Sequence, residues 1–236
     1  MQVFVDYANV HRADRSRGLV YVVDKAIDAL GFAHLQSESR VSFRLYDGWY
    51  LNRTPTRHAQ TVAAELLANF PFTRTVTDGT KNTKIIINAE LAYSLKIDPA
   101  THLWHTFRQR GYPTGLSCHH PAVVGCNESV CSLVAMHTFI STQRCPLPTC
   151  GISPGQVLHK NEQKLVDTML AADLMYLHLQ KEPKVAIVSS DDDMWPAIKT
   201  VLDLGMTILH IHTLPGHRTP AFYSRGPRPC YTELSL

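Results

Sequence analysis

Three aspartates follow apolar segments near the two ends of the sequence. Asp6 comes directly after the short β-rich run 2–5, and Asp191 and Asp193 follow the fully apolar run 185–188. Both runs predict buried strands that end at a polar side chain. Ligands of open α/β sheets bind at the carboxyl ends of strands, so we expect Asp6 and Asp191 to face one crevice. Asp193 lies in a turn that enters a helix and can point the same way as Asp191.

A predicted helix supplies two further carboxylates. Residues 161–177 place their apolar side chains on one stripe at helical spacing, with Asn161 as the expected N-cap. Asp167 falls at the edge of this stripe, nearer to solvent and to the crevice, whereas Asp173 falls in its middle. A carboxylate centred on an apolar face is rare unless it is paired or metal-bound. For Asp173, a structural hydrogen bond is an equally good explanation.

Clustered carboxylates favour a particular kind of ligand. Mg²⁺ and Mn²⁺ prefer oxygen donors, and ionised carboxylates packed together without a cation repel one another and raise one another's pKa. Taken singly, each aspartate is also explained as a helix cap or a solvated turn residue, which is the role expected for Asp192. Taken together, Asp6, Asp167, Asp191 and Asp193 predict a divalent-metal site.

Strand-like and helix-like segments alternate at both ends of the chain, which predicts an α/β fold with a parallel sheet covered by helices. Residues 84–88 contain three successive β-branched isoleucines and predict a strand, although their continuation toward residue 95 could equally be helical. The stretch 112–158 interrupts the alternation and is interpreted as an insertion within one domain, 1–236. The remaining predictions are strands at 41–45 and 207–211 and helices at 20–30 (closed by Gly31), 56–70 and, basic in character, 101–110.

Three segments of the chain resemble motifs of one nuclease family. Residues 3–10, Val-Phe-Val-Asp-Tyr-Ala-Asn-Val, resemble the opening motif of NYN domains, members of the PIN-like nuclease superfamily. Residues 162–173 resemble their central helix, with Lys164 and Asp167 at its motif positions. Residues 189–196, Ser-Ser-Asp-Asp-Asp-Met-Trp-Pro, are similar to their Ser-x-Asp-x-Asp-aromatic-x-Pro signature.

The resemblance has a departure and a limited extent. Met194 takes the usual aromatic position and Trp195 follows it, which affects local packing more than a metal site. The similarity covers residues 1–50 and 161–211 and leaves the middle of the chain unsupported. The resemblance implies a PIN-like (Rossmann-like) sheet.

The same resemblance implies a metal-dependent endoribonuclease whose substrate is RNA. Its metal-binding and catalytic carboxylates would be Asp6, Asp167, Asp191 and Asp193, with Asn9 positioning a ligand or orienting Asp6. One or two Mg²⁺ or Mn²⁺ ions would activate water and stabilise charge on the phosphate.

Four cysteines in the insertion have a spacing compatible with zinc. Cys126 and Cys131 are separated by four residues, as are Cys145 and Cys150, and thirteen residues lie between the pairs. Two such pairs can close a tetrahedral structural Zn²⁺ site, although the gap is at the loose end of zinc patterns. The alternative is that the cysteines are buried as small apolar residues.

Two stretches of the chain carry an excess of positive charge, although the net charge is only +3. Residues 99–161 contain one acidic residue, Glu128, and residues 204–232 contain none. Such stretches can hold a polyanion, or can be ordinary solvated faces. The candidate substrate-binding residues are Arg108, Arg110, Arg218, Arg225 and Arg228.

Other functions explain these features less well. A catalytically silent RNA-binding or scaffold protein would be indicated by loss of a metal carboxylate, and all four are present. A metal-dependent transferase using Asp191-x-Asp193 to hold a nucleotide diphosphate leaves Asp6-x-x-Asn9 unexplained. A phosphatase would require Asp-x-Asp where the chain has Asp6-Tyr7-Ala8. A homo-oligomer or a protein partner stays open.

The composition and the first residues bear on location. The sequence is 44% hydrophobic and 18% charged, an ordinary globular balance. No stretch approaches the ~20 apolar residues of a membrane span, so no membrane partner is expected. Met1 leads directly into an apolar strand without a signal pattern, which predicts a cytoplasmic protein with reduced or metal-bound cysteines.

Overall fold

The computed structural model describes residues 1–128, 130–220 and 229–236. These fall into two compact units: a larger unit, residues 1–107 and 163–236, and a smaller unit, residues 108–162, inserted into it. The predicted insertion, 112–158, lies within the smaller unit.

Thirteen strands are found in the described residues. In chain order they are β1 (Gln2–Asp6), β2 (Arg40–Tyr46), β3 (Tyr50–Leu51), β4 (Thr54–Pro55), β5 (Phe72–Thr77), β6 (Asn82–Leu91), β7 (Ser94–Leu95), β8 (Asp98–His102), β9 (Phe107–Arg110), β10 (Lys160–Gln163), β11 (Lys184–Val188), β12 (Thr207–His212) and β13 (Tyr231–Ser235).

Seven α-helices and three short 3-10 helices accompany these strands in the described ranges. The α-helices are α1 (Arg12–Arg15), α2 (Leu19–Leu35), α3 (Arg57–Asn69), α4 (Ser132–Thr142), α5 (Pro154–Val157), α6 (Val166–Leu179) and α7 (Trp195–Asp203). The 3-10 helices are Tyr7–Asn9, Pro121–Val124 and Asp192–Met194.

Seven strands of the larger unit form one sheet in the order β13-β12-β11-β1-β2-β6-β5. All neighbouring pairs are parallel except β5 and β6. The predicted α/β class is therefore confirmed, with a mixed, mostly parallel sheet. Because the strands are parallel, the carboxyl ends of β12, β11, β1, β2 and β6 lie along one edge, here called the carboxyl edge.

The two faces of the sheet are covered by different helices. Val3 and Val5 of β1 belong to an apolar cluster with residues of α2 and α3, whereas Phe4 belongs to a second cluster with residues of α6 and α7. This alternation follows from the two-residue period of a strand. Asp6 comes two residues after Phe4, so it is directed to the face that α6 covers.

Several predicted elements differ from the structure. The basic helix at 101–110 is wrong: the segment contains β8 and β9, and β8 pairs with β7. Its threonines and Phe107 favour extended backbone, and pairing satisfies the backbone polar groups that a short helix would leave open. Residues 84–88 lie in the longer strand β6, which settles the ambiguity in favour of a strand.

One of two predicted helix boundaries is confirmed and one is wrong. Gly31 is non-helical, with φ 62°, and separates the helical residues up to 30 from further helical residues that end at Leu35, so the predicted end of the first helix is confirmed. Asn161 lies in β10 and is not an N-cap; α6 begins at Val166 and is preceded by Leu165 with φ 69°. Pairing of β10 with β9 sets the boundary at Asn161. None of the described helices is both long and apolar enough to span a bilayer.

Candidate metal centre

Three of the predicted carboxylates meet at the carboxyl edge of the sheet. Asp6 is the last residue of β1, Asp191 follows β11 after two serines, and Asp167 lies in the first turn of α6. Each offers a carboxylate oxygen, and the three oxygens lie within 4.8 Å of one another. Among the described residues, this is the one group of three or more such side chains that could hold a metal ion.

The parallel pairing of β1 with β11 explains the position of Asp6. Val5 is in register with Val188, which brings Asp6 beside Ser189. Ser189 Oγ donates to Asp6 Oδ2 at 3.0 Å and accepts from the Asp191 backbone N at 3.0 Å. One hydroxyl therefore fixes two of the three carboxylates relative to each other.

Asn9 holds the loop that carries Asp191. Its Oδ1 accepts from the Ser190 backbone N at 3.0 Å and from Thr213 Oγ1 at 2.9 Å. Ser190 Oγ in turn accepts from the backbone N of Thr213 and Leu214 at 2.8 and 3.0 Å. Asn9 therefore ties the ends of β1, β11 and β12 together, which is a positioning role.

The electrostatics of the cluster match the predicted repulsion. Burial raises the pKa of Asp6 from 3.8 to about 7; Asp167 and Asp191 add to the rise, while the hydrogen bonds from Ser189 and the Asn9 backbone oppose it. Burial also raises the pKa of Asp167, helped by Asp191 and Asp193. Three oxygen donors that repel one another in this way fit a hard divalent cation.

Asp193 is not part of the three-carboxylate group. Its side chain is exposed, and its backbone N donates to Asp191 Oδ1 at 2.9 Å. Asp193 still acts on the centre through its charge, since it contributes to the raised pKa of Asp167. Asp192, expected to face away, is partly exposed and lies 3.7 Å from His217 Nε2.

Asp173 has a structural environment that explains its place on the apolar stripe. It is fully buried, and its Oδ2 accepts from Arg44 Nε at 2.9 Å and from Tyr46 Oη at 2.8 Å. Its Oδ1 accepts from the Lys96 backbone N at 2.6 Å. The structure thus favours the structural explanation of Asp173 over a ligand role.

Sequence reasoning missed His210, which supports the centre from β12. Its Nε2 donates to the Ser189 carbonyl at 3.1 Å, and its Nδ1 accepts from Tyr231 Oη at 2.7 Å. Burial lowers the pKa of His210 to about 3, and His212 contributes to the lowering. His210 is therefore neutral and acts as a fixed hydrogen-bonding strut behind Ser189. A histidine in the strand predicted at 207–211 gave no signal for this role.

A second buried carboxylate at the same edge was also missed; within the three-carboxylate group only Asp6 is buried, while Asp191 is half-buried and Asp167 is exposed. Asp47 directly follows β2, and its Oδ1 accepts from the backbone N of Gly48 at 2.6 Å and from Gln163 Nε2. Its Oδ2 lies 3.3 Å from His58 Nε2. A signal for it existed, because Tyr46-Asp47-Gly48 directly follows the strand predicted at 41–45.

The four candidate zinc ligands of the smaller unit are not gathered into a metal-binding group among the described residues. Cys126, Cys131, Cys145 and Cys150 are free thiols of intermediate burial. In the described part of the chain they do not meet the spacing of a metal-binding group, and zinc stays a prediction.

The predicted arginines are placed differently from one another. Arg108 and Arg110 direct their Nε atoms at Glu162, at 3.5 and 2.6 Å. Arg218 is exposed, and its Nη1 donates to the His217 carbonyl at 2.8 Å. Arg225 and Arg228 lie outside the described residues.

Comparison with known proteins gives no relative: no family model, curated protein or solved structure matches the chain.

Proposed function

We propose that the chain is a divalent-metal-dependent nuclease, and more specifically an endoribonuclease with an NYN-type, PIN-like fold. The observation that carries the proposal is the meeting of Asp6, Asp167 and Asp191, whose oxygens lie within 4.8 Å at the carboxyl edge of a mostly parallel sheet. This edge is where open α/β sheets bind ligands. The three sequence motifs that resemble NYN domains contribute these residues.

In such a centre some side chains would bind the metal and others would position them. Asp6, Asp167 and Asp191 would hold Mg²⁺ or Mn²⁺, which when bound supplies Lewis acidity toward a phosphate and a bound water of lowered pKa. Ser189 keeps the Asp6 and Asp191 carboxylates in their relative positions. Asn9 keeps the Asp191 loop against β12. Asp193 adds negative charge beside Asp167 without joining the three oxygens.

Asp191→Asn tests the proposal directly. We expect Mg²⁺- or Mn²⁺-dependent cleavage of RNA to fall by more than about 100-fold, beyond what loss of an outer-shell partner usually costs. The amide keeps the size of the side chain and can still cap Asp193, so the fold should be retained. Asp192→Asn is the matched control, because Asp192 is adjacent but outside the three-carboxylate group, and it should cleave nearly as well as wild type.

Cleavage is measured on mixed RNA and DNA with both variants purified in parallel, so that a contaminating nuclease appears equally in each. Equal cleavage by wild type and Asp191→Asn would contradict the metal assignment. RNA binding without cleavage by any of the proteins would instead support a catalytically silent RNA-binding protein.

We also propose a structural zinc ion held by Cys126, Cys131, Cys145 and Cys150. In the proposed cytoplasmic location these thiols stay reduced and available as thiolate ligands. The second cysteine of each pair has its backbone N fixed: the Cys131 N donates to the Glu128 carbonyl, and the Cys150 N donates to the Leu147 carbonyl.

Elemental analysis of protein purified without added metal should find about one zinc per chain, lost when the four cysteines are replaced. Cys230→Ser is the control and should keep the zinc. A zinc content near zero with freely titratable thiols would support the alternative of ordinary partly buried cysteines.

A further inference from the structure

Four aromatic side chains form a cluster that includes none of the residues of the candidate metal centre. The ring of Tyr50 lies 5.0 Å from Tyr93, 4.8 Å from Trp104 and 6.0 Å from His102, measured between centroids. His102 also lies 5.0 Å from Trp104, and its Nδ1 is 3.4 Å from Tyr50 Oη. We call these four residues the aromatic platform.

The sheet topology places the aromatic platform at the carboxyl edge. Tyr50 follows β2 by four residues, and Tyr93 follows β6 by two. β2 is the immediate neighbour of β1, which ends at Asp6, and β6 is the next strand beyond it. Tyr50 and Tyr93 pack against the apolar cluster of the α2 and α3 face, whereas Asp6 is directed to the α6 face. The link to the metal centre runs through Thr106: its Oγ1 accepts from the Tyr50 backbone N at 3.0 Å, and its carbonyl accepts from the Lys164 backbone N at 2.9 Å, three residues before Asp167.

The platform leaves aromatic surface open at Trp104. Tyr50 is nearly buried, whereas Tyr93 and His102 are half-buried and Trp104 is 37% exposed. The ring of Trp104 meets those of Tyr50 and His102 at 74° and 49°, so neither contact is a parallel stack. An indole held by its neighbours and open to solvent can stack on a planar partner without losing much side-chain freedom.

The surrounding charge favours a polyanion as that partner. Residues 48–64 contain no aspartate or glutamate. They include Arg53, in the turn between β3 and β4, and Arg57, at the start of α3, and both are exposed. The segment that supplies Tyr50 therefore also supplies positive charge. Aromatic rings beside arginines are how proteins hold unpaired bases and their phosphates.

From these observations we propose that the aromatic platform is a base-stacking subsite for single-stranded nucleic acid, with Trp104 as its main contact. The inference rests on the proposed nuclease function and deepens it: the substrate would be unpaired over the nucleotides next to the metal centre. A paired base inside a duplex keeps its faces covered by its neighbours and could not stack on Trp104.

Tryptophan fluorescence gives a direct test, because Trp49 and Trp195 are 0% and 4% exposed and Trp104 is the exposed one. The Asp191→Asn variant is used in Mg²⁺, because its reduced cleavage leaves the RNA probe intact. A short oligouridylate should quench the emission. The same oligouridylate paired with oligoadenylate, and inorganic polyphosphate, should quench it far less, since neither presents unpaired bases. Quenching by polyphosphate as strong as that by oligouridylate would overturn the proposal.

Binding measured by a second method separates stacking from a structural role. Trp104→Ala should bind the oligouridylate about ten-fold more weakly, the effect expected from losing one stacked base. Trp104→Phe keeps an aromatic face and should recover most of the affinity while losing the fluorescence response. Leu67→Ala is the matched control, because Leu67 is an 87% exposed apolar side chain on α3, and it should bind like the parent protein.

Failure of this subsite and failure of the nuclease proposal give different results. If Asp191→Asn still cleaves RNA as wild type does, the metal assignment fails whatever the fluorescence shows. If cleavage depends on Asp191 but Trp104→Ala, with an unfolding midpoint like that of its parent, binds the oligouridylate as tightly as its parent, the stacking subsite fails alone.

Discussion

The larger unit places two buried aspartates on the same face of its sheet, and their surroundings differ in one respect. Asp173 meets a guanidinium, a phenol and a backbone N–H, all of which donate to it. Asp6 accepts from the Ser189 hydroxyl but faces the carboxylates of Asp167 and Asp191. Burial raises its pKa to about 7, and the two neighbouring carboxylates add to the rise.

Helix α6 contributes an aspartate to each of these two environments. Asp167 lies in its first turn and Asp173 six residues later, about 9 Å along the helix axis. The same helix thus carries Asp173, whose carboxylate is fully hydrogen-bonded, and Asp167, whose carboxylate lies among others of the same charge. A protein can bury a carboxylate with its counter-charge, as it does for Asp173, whereas the grouping of Asp6 with Asp167 and Asp191 is the arrangement that the proposed metal site requires.

The largest expected effect on stability comes from removing the cation that pairs with Asp173. Arg44→Met leaves Asp173 buried without its cation and should lower the free energy of unfolding by about 3–5 kcal/mol. Lys199→Met is the matched control, because the Lys199–Asp203 pair is an exposed i,i+4 pair whose loss should cost about 0.5 kcal/mol or less. Urea unfolding at neutral pH measures both. An Arg44→Met variant as stable as the control would show that Asp173 does not depend on Arg44.

At the metal centre, replacing a charged side chain is expected to raise the free energy of unfolding. The folded protein keeps a proton on Asp6 that the unfolded chain releases, because the pKa is 3.8 in the unfolded chain and about 7 in the fold. Stability of the metal-free protein therefore falls as pH rises between about 4 and 7. Asp6→Asn removes this loss and should stabilise the metal-free protein at pH 8, by up to about 4 kcal/mol.

Unfolding at pH 5 and pH 8 in a chelator checks the sign of this effect. Asp98→Asn, which removes an exposed carboxylate at the start of β8, serves as the control and should leave the pH dependence unchanged. Added Mg²⁺ should stabilise wild type and do less for Asp6→Asn, since ligand binding to the folded state raises stability. An Asp6→Asn variant less stable than wild type at pH 8 in the chelator would mean that Asp6 is satisfied within the fold.

The sequence was sufficient to predict where Asp6, Asp167 and Asp191 lie in the fold. Asp6 and Asp191 follow runs of apolar, β-branched residues, and such runs become buried strands whose ends are easy to place. Asp167 stands at the edge of a helical stripe, so its direction followed from helical geometry alone. Each inference needed information from within about ten residues.

The sequence was insufficient wherever a distant segment decides the environment. Arg44 stands between Phe43 and Leu45 in β2, where strand alternation predicts a solvent-facing side chain. It is buried because Asp173, which is 129 residues away, and the Ser94 carbonyl accept its hydrogen bonds. The helix predicted at 101–110 was wrong for the same reason, since pairing with β7 outweighs the local pattern.

The smallest expected effect concerns the positive charge around the centre. The three-carboxylate group repels a phosphate backbone, so substrate binding needs cations on its flanks in addition to the metal. Arg218 is exposed and follows the loop that leaves β12, whose Thr213 contacts Asn9. Removing one arginine–phosphate interaction should reduce the salt dependence of binding by about one ion. Arg218→Ala should therefore flatten the slope of log affinity against log salt by about one, with little change in turnover at saturating RNA.

Binding measured across a salt series decides whether Arg218 contacts the backbone of the substrate. Lys81→Ala is the matched control, because Lys81 is exposed in the turn between β5 and β6 at the opposite edge of the sheet. The control should keep the wild-type slope, since a charge at that edge is far from the metal centre. If Arg218→Ala also keeps it, this arginine does not contact the backbone, and the cations that accompany substrate must be sought near Arg53 and Arg57.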